Sequence, residues 1–300
     1  MNHPCDARPL LPVAAHHEAA PGAALLGQVV GGLVVEGLIA EGGVGVVYAA
    51  RSRHGAARAL KVLKPALAGD SGHRARFAEE IAYARRVAHP NVVSVLDHGR
   101  LTDGRPWLSM DLLEGATLGA LVRREGPLPL ARALAITDQV LAGLSALHAA
   151  RVVHQDLQPD NVFLARAPRG EEGERAVLLD LGFAREAGAG ARASLFGTPA
   201  FMSPEQALAN RAVTAQSDLF AAALLLSYAL TGKPPFPGLA PRDVLVAIVR
   251  SAPVPVRRAR RDVPAELDRI LARALAKHPD ARFSGAAEMR TALGRLACAA

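Results

Sequence analysis

The apolar residues of this chain change their spacing once, and that change constrains the fold more than any other feature of the sequence. Up to about residue 113 the apolar stretches are short and extended. They run from Leu33 to Ile39, then as VVYAA after the turn AEGGVG, then over 56–64 up to Pro65. VVSVLDHG at 92–99 and RPWLSMDLL at 105–113 follow, joined by a Thr-Asp-Gly turn. Runs of this kind, bounded by Gly, Pro and Asp, read as strands. One helix interrupts them, predicted over about 73–88, with His73, Arg74 and Arg76 on its polar side and Phe77, Ile81 and Ala84 on the other. His89-Pro90-Asn91 stops it. After Gly115 the spacing becomes helical. Leu130, Leu134, Leu141, Leu144 and Leu147 mark a long amphipathic helix over 128–150. More helices are predicted near 204–209, 215–231, 241–250, 264–276 and 284–296. The expected class is therefore α+β: a small antiparallel β-sheet lobe with one helix, beside a larger helical lobe, joined by a hinge at Leu113–Ala116. The cleft between two such lobes is a favoured place for a ligand.

Composition narrows the function classes. Half of the 300 residues are hydrophobic, enough for a sizeable core, but only 4% are aromatic, so that core must be built from Leu, Val and Ala. The net charge of +7 suits an anionic ligand without choosing one. No zinc-finger spacing and no basic stretch interleaved with aromatics occurs, so nucleic acid is not an expected partner. Arg257, Arg258, Arg260 and Arg261 lie between Pro255 and Pro264 and read as a solvated loop. Cys5 and Cys298 stand at opposite ends, which fits a reducing cytoplasm rather than a disulfide framework. The apolar stretch 23–40 holds Gln28 and Glu36 and lacks the flanks of a secretory signal. The stretch 219–230 is too short to span hydrocarbon and reads as a helix buried on all sides. No membrane partner is expected. Residues 1–30, rich in Ala, Pro and His, read as a disordered N-terminal tail before one domain over 31–296, divided into lobes at 31–113 and 114–296.

Six strings carry the chemistry, in this order: AEGGVGVVY at 40–48, RALK at 58–61, FAEEI at 77–81, HQDLQPDN at 154–161, DLG at 180–182 and SPE at 203–205. A glycine-rich turn alone is a weak signal, equally at home in a plain hairpin. The ordered set is much stronger, because each string matches a part of the protein-kinase signature. Over roughly 31–296, and with GTPAFMSPEQ and KHPDARF included, the chain resembles the bacterial-type serine/threonine protein kinases. The resemblance implies the bilobal protein-kinase fold, with ATP and Mg²⁺ as cofactors and a protein substrate presenting Ser or Thr.

The resemblance also implies residue roles. Ile39, Ala40, Gly42, Gly45, Val47 and Met110 would line the nucleotide site, the glycines letting backbone approach the triphosphate closely. Lys61 would contact the phosphates and be held by Glu80, since Glu79 points about 100° away around the helix. Asp156 would be the base or orienting group for the acceptor hydroxyl. Asn161 and Asp180 would bind Mg²⁺ through oxygen, and His154 would brace their loop. Thr198 would touch Asp156 and favour hydroxyl amino acids. Glu205 and Arg282 would form a buried pair, and Asp218 would anchor the catalytic-loop backbone.

Three residues depart from the pattern. Ala40 replaces the first loop glycine, a mild change while its φ stays negative. Gln155 stands where most such kinases have an Arg that pairs with a phosphorylated activation segment, and a neutral amide makes no such charge-assisted contact. Between Phe183 and Gly197 the only hydroxyl is Ser194. Gln158 replaces a Lys that stabilises charge on the transferring phosphoryl group. The reading is an active Ser/Thr kinase slowed by Gln155 and Gln158. The alternatives are a nucleotide-binding pseudokinase acting as scaffold or switch, and a small-molecule phosphotransferase sharing the Asp156–Asn161 spacing. The chain ends soon after the last expected helix, so regulation is expected from the tail, a regulatory partner protein or expression level.

Overall fold

The computed structural model describes residues 25–166, 173–186, 199–208, 212–234, 236 and 240–297. The N-terminal lobe is one antiparallel sheet built from β1 (Val29–Val30), β2 (Leu33–Glu41), β3 (Gly45–Ser52), β4 (Ala57–Leu63), β5 (Val95–Arg100) and β6 (Pro106–Asp111). Its strand order is β1-β2-β3-β4-β6-β5. Sequence spacing anticipates five of these strands. The sixth corrects the tail boundary: Leu25 and Val30 are buried, and Val29 pairs with Val34. Residues 25–30 of the expected tail thus belong to the N-terminal lobe, Leu25 in its core and Val29–Val30 in its sheet.

The helix α1 (Ser71–Ala84) starts two residues before its predicted place, because Asp70 accepts from the backbone N–H groups of Gly72 and His73. It ends four residues early, ahead of His89-Pro90, where the residue before proline resists helical φ and ψ. Phe77, Glu80 and Ala84 are buried and Ile81 half-buried, a helical stripe with a carboxylate in its middle.

Past Asp111 the chain crosses to the second lobe through Leu112–Glu114 and enters β7 (Gly115–Thr117). Only glycine fits at the crossing: Gly115 has φ +152, and a Cβ there would stand 2.0 Å from the Leu164 carbonyl oxygen. Next comes α2 (Leu118–Glu125), capped by Thr117 and absent from the sequence reading although Leu118, Leu121 and Val122 keep helical spacing. The long helix is α3 (Leu130–Ala149), followed by β8 (Val152–Val153), β9 (Val162–Arg166), β10 (Glu174–Leu178) and β11 (Arg185–Glu186). Then come α4 (Pro204–Leu208), α5 (Ala215–Thr231), α6 (Pro241–Arg250), α7 (Ala265–Ala274) and α8 (Ala286–Ala297). All five lie within two residues of the predicted spans at either end.

The second core follows the composition. Leu219 to Leu226 on α5 are buried without a break, enclosed by α3, α7 and loops, as a helix apolar on every side must be. Although α3 is long and apolar enough to cross a bilayer, its Leu134, Ile136, Leu141, Leu144 and Leu147 face this core, against α5 and α8. The lobes are tied behind the crossing. Leu178 N–H donates to the Asn91 carbonyl, Val93 N–H donates to the Leu178 carbonyl (both 2.9 Å), and Asn91 Nδ2 reaches the Ala176 carbonyl at 2.7 Å.

Candidate active site

Strand register assembles the roof of the cleft. Ala40 lies opposite Val47, Val47 opposite Lys61, and Lys61 opposite Leu108. Directly opposed residues share a face of a sheet, so this row, with Ala59 and Met110 two residues along, lines one side. Ala59 was not singled out in the sequence; its role follows from register alone. Ile39 falls in the bulge between Leu38 and Ala40 and is half exposed. The φ of Ala40 is not positive, so the missing glycine costs no backbone strain there. At Gly45 a Cβ would sit 3.1 Å from the Val62 carbonyl oxygen and 3.5 Å from Lys61 Cε, so the turn rests on Lys61. At Gly42 the nearest atom to such a Cβ is 3.7 Å away, which leaves its need for glycine to the approach of a ligand.

Lys61 ends up where an isolated ammonium would be costly. Its Nζ donates to Glu80 Oε1 at 2.7 Å and to Asp180 Oδ1 at 3.2 Å. Burial pulls its pKa down, but the two carboxylates outweigh burial and hold it above the usual lysine range. Burial pushes Glu80 up to about 7 against the attraction of Lys61, and Asp180 adds to the rise. Asp180 itself is held below the usual carboxylate range: burial opposes this, while the Lys61 charge and the Gly182 N–H prevail. Glu79 is exposed, as the helix period requires.

The catalytic loop is hung from α5. Asp218 accepts the His154 N–H on Oδ2 and the Gln155 N–H on Oδ1, each at 2.9 Å, and His148 Nε2 lies 2.8 Å from Oδ2. His154 is fully buried, with Nδ1 taking the Asp156 N–H at 3.4 Å and Nε2 facing the Leu179 carbonyl at 3.2 Å. Both ring nitrogens are engaged and burial lowers its pKa, so His154 braces the loop as a neutral ring and is no base.

Asp156 Oδ2 accepts from Asn161 Nδ2 at 2.9 Å and from Gln158 Nε2 at 3.3 Å. Burial, then the nearby Asp180, pushes Asp156 up to about 7 in spite of those bonds. Asn161 Nδ2 also reaches the Asp156 carbonyl at 2.8 Å, so its amide oxygen is the atom left for a cation. With the Asp180 carboxylate, that makes an all-oxygen pair that suits Mg²⁺. Below the site, Arg282 donates from Nη1 and Nη2 to the two oxygens of Glu205, both at 2.8 Å, and Ser217 Oγ adds a third donor. Thr198 and Ser194 lie outside the described residues.

A two-lobed fold with a lysine–carboxylate pair in its roof and an Asp/Asn/Asp set in its floor defines a nucleotide-dependent phosphotransferase architecture. Residues 33–293 match the family described as the protein kinase domain, and the chain belongs to that family. It is 35% identical over 246 residues to serine/threonine-protein kinase PknB of Mycolicibacterium smegmatis, spanning 79% of this chain and 38% of that protein. To serine/threonine-protein kinase pkn3 of Myxococcus xanthus it is 36% identical over 262 residues, 84% of this chain and 47% of that one. The crystal structure of the Mycobacterium tuberculosis PknI kinase domain aligns with a TM-score of 0.69 at 29% identity, covering 90% of this chain and 98% of that one. The chain spans less than half the length of these two curated relatives.

Proposed function

We propose that the protein transfers the γ-phosphoryl group of ATP to Ser or Thr of a protein substrate, more slowly than its relatives. The observation that carries this is the closed set of contacts Lys61–Glu80–Asp180 standing over Asp156 and Asn161. Glu80 and Asp180 hold Lys61 where it would meet phosphate oxygens, under the turn at Gly45. Asp156 keeps Oδ1 clear of the bonds that fix Oδ2, and a pKa near neutrality suits it to orient or accept the proton of an incoming hydroxyl. Asn161 and Asp180 would hold Mg²⁺, which when bound neutralises charge on the phosphates. The names of the relatives support a Ser/Thr acceptor, and the ATP-dependent reading implies the cytoplasm.

Gln158 supplies a dipole to Asp156 where a cation would supply charge. Losing one preorganised charge of this kind lowers a rate by about 10²–10³, from the about 1–100 per second common to kinases. The test is incubation with Mg²⁺, γ-labelled ATP and a generic basic protein, beside an Asp156→Asn control, followed by phosphoamino-acid analysis. Label on Ser or Thr that disappears in the control supports the kinase reading. No label above the control, with ATP still raising the melting temperature, would replace it with the pseudokinase reading.

A further inference from the structure

Gln155 holds a left-handed backbone, φ +66. Such a conformation persists only where the surroundings over-determine it. One constraint is the Asp218 carboxylate on its N–H. The other comes from a different element: Gln206 Nε2, on α4, donates to the Gln155 carbonyl at 2.7 Å. The orientation of the Gln206 amide is fixed by chemistry. Its Oε1 accepts the Ser203 N–H and the Ser203 hydroxyl, both at 3.0 Å, and Ser203 is fully buried. A backbone N–H can only donate and a carbonyl can only accept, so a flipped amide would lose both ends at once.

The geometry points to Gln206 as a positioning residue for Asp156. The carbonyl it holds belongs to the peptide that joins Gln155 to Asp156, so the bond sets the plane from which Asp156 springs. It also links Ser203 and Pro204 to the catalytic loop through neutral groups. With Gln155 in place of an arginine, the loop is tied to this segment by an amide that needs no phosphate. This inference rests on the phosphotransfer reading for its kinetic consequence, while its structural content is independent of it.

Gln206→Glu is the informative variant, because it keeps the size and the acceptor for Ser203 and replaces only the donor facing Gln155. Turnover should fall about tenfold, the worth of one well-placed hydrogen bond, with the KM for ATP and the melting temperature held. The ratio to wild type should recover as pH drops, because a protonated carboxyl can donate where Nε2 did. Hydrogen exchange of the amides at 155–157 should quicken in the variant, and this readout decides the inference even if wild type transfers no phosphate, an outcome that would instead refute the kinase reading. Unchanged exchange at 155–157 would overturn the role of Gln206. So would a loss of turnover matched by an equal loss of stability in Gln206→Ala and Gln206→Glu alike.

Discussion

On the roof side of the cleft Lys61 and Glu80 pair at 2.7 Å, with Asp180 reaching Lys61 at 3.2 Å from the floor; on the floor side Gln158 sets a neutral amide on Asp156. On the proposed reading the roof serves the nucleotide triphosphate. The floor would hold the acceptor base and its brace, with Gln155 and Gln158 in place of the two cations of the family pattern. The difference teaches that binding and transfer are separable in this chain. ATP should dock at full strength, while at Gln158 the charge that develops during transfer would meet a dipole where the family pattern supplies a cation.

The largest expected effect lies on the roof. Lys61→Met should abolish labelling, a fall of about 10²–10³ or more, and should weaken ATP binding measured by calorimetry. If ATP binds the variant as it binds wild type, the division between the two sides fails. A structural pair outside the cleft gives the next prediction. Arg282→Ala leaves Glu205 buried without its partner and should cost about 3–5 kcal/mol in denaturant titration, with ATP affinity unchanged at temperatures where the variant is folded.

The same pair predicts a response to acid. Burial alone would raise the Glu205 pKa, but Arg282 more than offsets it and holds it below the usual 4.5. A carboxylate with a depressed folded pKa contributes stability that is present above its unfolded pKa and lost as pH falls through the folded one. Wild type should therefore lose stability steeply below pH 4.5, and Arg282→Ala should show a shallower decline over that window. Equal slopes would mean the pair is not what acid attacks. The smallest effect concerns Ser194, the one hydroxyl between Phe183 and Gly197. Ser194→Ala should leave turnover unaltered, because Gln155 offers no cation to a phosphate. Loss of most activity would show that the amide does not free the floor from phosphorylation.

Much of the site was legible in the sequence because its residues sit in short strings whose spacing is local. Glu80 over Glu79 followed from the helix period, and the hanging of the loop from Asp218 followed from the family pattern. Ala59 was not legible, since only strand register sets it beside Lys61. Asn91 looked like a helix stop, and its bond to the Ala176 carbonyl depends on β10, whose five residues carry no period. Gln206 was quoted within a string but given no role, because its partner is a backbone carbonyl 51 residues away. In the fold, β1 is too short at two residues to carry a pattern, while α2 shows its helical spacing in only Leu118, Leu121 and Val122.

The most direct measurement is a single-turnover transfer rate at saturating ATP and Mg²⁺ for wild type and Gln158→Lys, with ATP affinity recorded for both. A restored cation beside Asp156 should raise the transfer rate by about 10²–10³ and leave ATP affinity as it was. An unchanged transfer rate would contradict the claim that the neutral floor of the cleft is what slows this enzyme.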